Sequence, residues 1–129
     1  MLQNFNKTKE TIVSGNDSIV IQKYMAGLTG GRTLDVEAYT EDVLPAGLVI
    51  VVDAEGVYAP LAMTEADGKK TYNALPAGAA YAGVLYRTIL KKEPAAAIMT
   101  AGVVNGELLP APLPAGAFPN ILVTKDIVA

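Results

Sequence analysis

Three observations predict a mainly β fold for this chain of 129 residues, in the form of a small β-barrel-like domain with an extended N-terminal arm and at most short helices. First, the tetrapeptide Leu-Pro-Ala-Gly occurs at 44–47, 75–78 and 113–116. Proline fixes φ at the first corner of a tight turn and glycine accepts the positive φ of a later one, so each copy can lead the chain into a strand. Second, the first copy feeds Leu48-Val49-Ile50-Val51-Val52, the most apolar run in the sequence. It is continuous and β-branched rather than alternating, as in a strand buried on both faces. Third, short aliphatic runs elsewhere are separated by Gly, Asn and Asp, the punctuation of hairpins.

The length suits one domain, which buries roughly two thirds of its unfolded surface. Ala, Val, Leu and Ile dominate the apolar residues, with two Phe and no Trp. Small side chains each bury little area, at about 25 cal/mol per Å², so part of the stability is expected to come from association. Cysteine and histidine are both absent, which removes disulfides, thiolate metal sites and the usual acid–base residue at neutral pH. The two serines, Ser14 and Ser18, lie in a Gly/Asn/Asp turn and not in a nucleophile elbow. These features argue against an enzyme, a cofactor and a bound metal. The net charge of −3 argues against a nucleic-acid surface, which normally carries a basic stripe. No window reaches the roughly eighteen apolar residues of a membrane span, and residues 1–10 lack the apolar centre of a secretory signal. The expectation is a chain used without membrane insertion or export by that route.

Taken in order, residues 1–31 read as an arm. Thr11-Ile12-Val13 and Ile19-Val20-Ile21-Gln22-Lys23-Tyr24-Met25 are strand-like runs joined by the turn Ser14-Gly15-Asn16-Asp17-Ser18. Gly27-Leu28-Thr29-Gly30-Gly31 follows as a glycine-rich hinge with no Walker-type Lys-Thr. A lone hairpin is marginal in water, so the arm needs a sheet edge supplied by something else. The alternative is that it forms the first two strands of the same domain. As an extended segment it places Ile19 and Ile21 on one face and Val20 on the other.

From residue 32 the domain proper is expected. Leu34-Asp35-Val36-Glu37-Ala38-Tyr39-Thr40 alternates and predicts a half-buried strand. Residues 49–52 and 57–61 predict a hairpin around Asp53-Ala54-Glu55-Gly56, with Pro60 marking an edge because it cannot donate to a ladder. Residues 64–71 are polar and read as an exposed loop with a turn at Asp67-Gly68. Residues 79–86 predict a strand in which Gly83 signals a bulge or a close backbone approach. Residues 94–104 combine helix-favouring alanines with a β-branched run; the strand is preferred, entering a hairpin at Asn105-Gly106. Pro110-Ala111-Pro112-Leu113-Pro114 should lie extended. Ile121-Leu122-Val123-Thr124 either closes the sheet or follows a short helix.

Charge is segregated along the chain. Between Asp35 and Asp67 every charged residue is acidic, and between Lys69 and Lys92 every one is basic. The blocks either set register between neighbouring subunits or form two solvated loop regions. Glu41-Asp42, Asp53 with Glu55, and Glu65 with Asp67 are candidate carboxylate pairs for calcium or glycoside hydrolysis, though solvated carboxylates are ordinary at turns. Lys69-Lys70 and Lys91-Lys92 lack the aromatic or glycine-loop context of a phosphate site.

Gly83-Val84-Leu85, the charged loop ending Lys92-Glu93-Pro94-Ala95, and Ala97-Ile98-Met99-Thr100-Ala101-Gly102-Val103-Val104-Asn105 resemble the second half of tailed-phage head decoration and head-fibre proteins. Tyr39-Thr40-Glu41-Asp42-Val43-Leu44-Pro45-Ala46-Gly47 resembles the part of those proteins that leads into their first barrel strand, so the similar region runs from about residue 33 to 123. The resemblance implies a β-tulip that trimerises at local three-fold positions on the outer capsid surface of a virion. It also implies an N-terminal arm that pairs with strands of the major capsid protein. This chain departs from the lambdoid form in a longer, less Ser/Thr-rich arm and in having no tryptophan. The implied capsid-binding residues are Phe5, Ile12, Val13, Ile19, Val20, Ile21 and Tyr24. Those for the homotrimer interface are Tyr81, Val84, Tyr86, Ile98, Met99, Val103 and Val104. Two other functions stand beside this one: a trimeric adhesin or fibre module binding host glycan or protein, and a small carboxylate-dependent hydrolase.

Overall fold

The computed structural model describes residues 20–28 and 30–124. Among them are twelve strands: β1 (Ile21–Gly27), β2 (Arg32–Thr33), β3 (Val43–Leu44), β4 (Val49–Val52), β5 (Tyr58–Pro60), β6 (Met63–Ala66), β7 (Lys69–Tyr72), β8 (Ala80–Leu85), β9 (Ile89–Leu90), β10 (Ala95–Ala96), β11 (Ile98–Asn105) and β12 (Ile121–Thr124). The fold is mainly β, as the sequence predicts. The main sheet runs β1-β11-β8-β4-β5, with β12 also on β11, and three two-stranded sheets flank it: β2 with β10, β3 with β9, and β6 with β7. Among the described residues the sheets do not close into a barrel. The terminal strands β1 and β5 do not pair with each other, and Pro60 of β5 has no N–H to offer a further strand.

Each Leu-Pro-Ala-Gly copy forms the same turn. The N–H after the glycine donates to the proline carbonyl: Leu48 to Pro45, Ala79 to Pro76 and Ala117 to Pro114. The glycine holds the positive φ, +91° at Gly47, +82° at Gly78 and +73° at Gly116. Proline therefore occupies the first position of the turn and not the second. Each copy also precedes a strand of the main sheet, β4, β8 or β12.

The β4 strand is buried on both faces, as its continuous apolar run predicts. Val49 and Val51 join one core with Val84, Met99 and Val104; Ile50 joins the other with Leu44, Leu48, Leu85 and Ile98. The β4–β5 hairpin is held by Asp53, whose Oδ1 accepts the N–H of Glu55 at 2.8 Å and of Val57 at 2.9 Å. In β8 both readings of Gly83 hold. The β4–β8 register shifts between Ile50 opposite Gly83 and Val51 opposite Tyr81, and a Cβ on Gly83 would lie 2.5 Å from the Met99 carbonyl oxygen.

Four expectations are corrected. The alternating segment 34–40 is not a strand beyond a single bridge from Leu34 to Tyr58. Asp35 Oδ1 turns back to accept the Glu37 N–H at 3.2 Å, and the Tyr39 N–H donates to the Val36 carbonyl at 3.0 Å. The polar segment 64–71 is not a loop but the β6–β7 hairpin, in which Asp67 and Gly68 both have positive φ. Asn105-Gly106 makes no hairpin, because the chain makes a proline-rich excursion and returns as β12, parallel to β11. Asn105 is 1% exposed, and its Oδ1 accepts the Glu107 N–H, turning the chain out of the sheet. Finally, residues 20–28 are no separate arm: β1 pairs antiparallel with β11 along its length, which is the integral-strand alternative.

Candidate interaction surfaces

The residues assigned to capsid binding divide into three groups. Phe5, Ile12, Val13 and Ile19 lie outside the described residues. Val20 and Ile21 are 7% and 6% exposed within the first core, so they have no surface left for a partner. Tyr24 is 45% exposed on β1, its ring 4.7 Å from that of Tyr86. Gln22 and Met25 are extra residues in β1 relative to β11. These bulges, with Lys23 between them, blunt the edge against casual strand addition.

The trimer candidates divide as well. Val84, Ile98, Met99 and Val104 are buried within the single chain, a correction with a simple cause. β8 and β11 are interior strands flanked on both edges, so their apolar residues fill the chain's own cores. Tyr81, Tyr86 and Val103 are only half-buried. Tyr81 packs edge-on against Phe118 at 5.5 Å, and the Arg87 guanidinium stands 5.1 Å over the Tyr86 ring. Val103 lies in register with Leu122 of β12. Met25, Val57, Leu108, Leu122 and Val123 are the exposed large apolar residues, among those described, that the sequence pattern did not single out. Their signal was weak: exposure of Leu122 depends on β12 occupying one side of β11 beyond the point where β8 diverges.

The carboxylates of the acidic block converge more than their spacing suggested. The strap 35–41 bonds to β5 through the Asp35 N–H and the Tyr58 carbonyl, then departs from it. A cleft of about 430 Å³ opens between strap and strand. Pro60 lies at its floor with Leu61 and Met63; Asp35, Glu37 and Glu41 line it from the strap, and Glu65 and Lys70 from the β6–β7 hairpin. Tyr39 also lines it, donating its hydroxyl to the Val43 carbonyl at 3.2 Å. Burial, reinforced by the nearby charge of Glu41, raises the Tyr39 pKa. Among the described residues no group of three acidic side chains is placed to hold a metal ion. The acidic and basic blocks meet inside one chain: Glu65 lies opposite Lys70 across the hairpin, and the Lys91 N–H donates to the Asp42 carbonyl.

Against family models, curated proteins and solved structures alike, the chain finds no match.

Proposed function

We propose that this chain is a structural protein of a phage head, binding the outer capsid as a trimer at local three-fold positions and clamping adjacent capsomers. The observation that carries this reading is the set of exposed apolar side chains on two strands of the main sheet, with Met25 at 63% on β1 and Leu122 at 62% on β12. Large apolar side chains standing in water on rigid strands favour contact with another protein surface. The mainly β fold agrees with the resemblance in residues 39–47 and 83–105, and the side-chain repertoire, with neither cysteine nor histidine, suits adhesion better than chemistry. Three attachment segments on one trimer act at high effective concentration, so modest individual contacts sum to stable attachment. With Val20 and Ile21 in the core, the attachment segment in this reading is residues 1–19.

Light scattering of the pure protein and co-sedimentation with expanded phage shells test the proposal together. A trimer that pellets with shells, and ceases to do so when residues 1–19 are deleted, is the expected result. A monomer that stays in the supernatant overturns it.

A further inference from the structure

Asp35, Glu37, Glu41 and Glu65 line the cleft beside β5 against one ammonium, that of Lys70. Lys70 is the cross-strand partner of Glu65, and Asp35 and Glu37 also line an adjoining pocket with Lys91 and Lys92. This leaves Glu41 as the strap carboxylate with no cation in either lining apart from Lys70. Because no three acidic groups among the described residues are placed for a metal ion, positive charges spaced along a chain match this rim better than a point charge does. Beneath the rim the surface is apolar, formed by Pro60, Leu61 and Met63. The complement of such a cleft is an aromatic residue followed by cations at alternate positions. This chain contains that pattern once, as Phe5-Asn6-Lys7-Thr8-Lys9, and residues 1–9 carry no acidic side chain. In an extended segment Phe5, Lys7 and Lys9 share a face.

Reach is sufficient. Val20 packs beside Gly47 at the entry to β4, where an added Cβ would lie 3.1 Å from Val20 Cγ1. Val49, two residues on, donates its N–H to the Tyr72 hydroxyl, and Tyr72 is the cross-strand partner of Met63 in the cleft. The stretch from Lys9 to Val20 extends to about 36–40 Å, against a radius of gyration of about 14 Å for a domain of this size.

The geometry points to this cleft as the seat of the chain's own residues 5–9, with the Phe5 ring on the apolar floor and Lys7 and Lys9 against the strap carboxylates. The inference stands apart from the capsid reading; where both hold, capsid binding by residues 1–19 competes with the cleft.

Carbodiimide coupling of the full chain, mapped by mass spectrometry, tests it, because amide links form only where an amine meets a carboxylate. Glu65 with Lys70 is the internal positive control. Mixing isotope-labelled and unlabelled chains separates links within one chain from links between copies. The expected result is linkage of Lys7 or Lys9 to Glu37 or Glu41 within one chain. These links should weaken several-fold near 1 M salt, where the Debye length is about 3 Å. They should weaken similarly in Phe5→Ala, which leaves every amine and carboxylate in place. Formation of the control link with no link from Lys7 or Lys9 to the cleft overturns the inference. Links found only between copies also overturn it, and assign the cleft to a neighbouring chain's segment.

Discussion

The hydroxyl of Tyr72 accepts the Val49 N–H at 3.1 Å, satisfying a donor at the head of the most buried strand. Tyr72→Phe removes that acceptor and leaves a buried N–H unpaired, a loss of about 1–3 kcal/mol readable as a lower urea midpoint. The same residue makes a pH prediction. Burial pushes its pKa up to about 12, against the opposing pull of the Val49 N–H and with a small further rise from Tyr39. The folded state therefore holds the phenolic proton more tightly than the unfolded state, where the pKa is about 10. This contribution is complete below pH of about 10 and is lost as pH rises through about 12, with a span of about 2–3 kcal/mol. Urea midpoints of the wild type should fall faster across that window than those of Tyr72→Phe; parallel slopes would remove Tyr72 as the cause. At Gly83, a Cβ would press on the Met99 carbonyl oxygen at 2.5 Å and on Ile98 Cγ2 at 2.7 Å. Gly83→Ala is expected to destabilise by about 1–3 kcal/mol through overpacking, again seen in the urea midpoint.

The repeated corners are the elements most open to experiment, because one turn recurs in different surroundings. Gly47 and Gly116 share a positive φ. Nothing lies within 4 Å of an added Cβ at Gly116, whereas at Gly47 it would meet Leu109 Cδ2 at 2.7 Å. Gly116→Ala should therefore cost only backbone strain, about 1 kcal/mol, and Gly47→Ala distinctly more; equal shifts in urea midpoint would contradict this. The corners were legible in the sequence because glycine supplies the positive φ of the turn locally, whatever surrounds it, although proline stands one place before the corner that was expected of it. The β6–β7 hairpin was not, since both its faces are largely exposed and solvated strands carry no alternation to read. Its Asp67-Gly68 turn was visible, but the strands on either side looked like loop. The segment 34–40 failed in the opposite sense: it alternates cleanly, yet the side chain of Asp35 captures the Glu37 N–H and the chain curls away from β5.

For the whole molecule, the position of β1 decides how the N-terminus can be cut. Deleting residues 1–19 leaves every described strand in place. Deleting residues 1–31 removes β1 together with the buried side chains of Val20 and Ile21, each worth about 1.5–3 kcal/mol in a domain whose total stability is about 5–15 kcal/mol. The shorter deletion should melt cooperatively and the longer one should not, as followed by circular dichroism. For the same reason Ile21→Asp is expected to unfold the domain rather than weaken attachment selectively. The sequence by itself determined the fold class, the three corners, the central strand and the bulge at Gly83, because each rests on the backbone preferences or side-chain branching of a few adjacent residues. Only the tertiary structure decided that β1 belongs to the sheet, that β12 returns parallel to β11, and which apolar residues face water. It also gathered carboxylates from the strap and the hairpin around one cleft. Those outcomes depend on which strands share an edge, a relation between distant segments that no local pattern encodes.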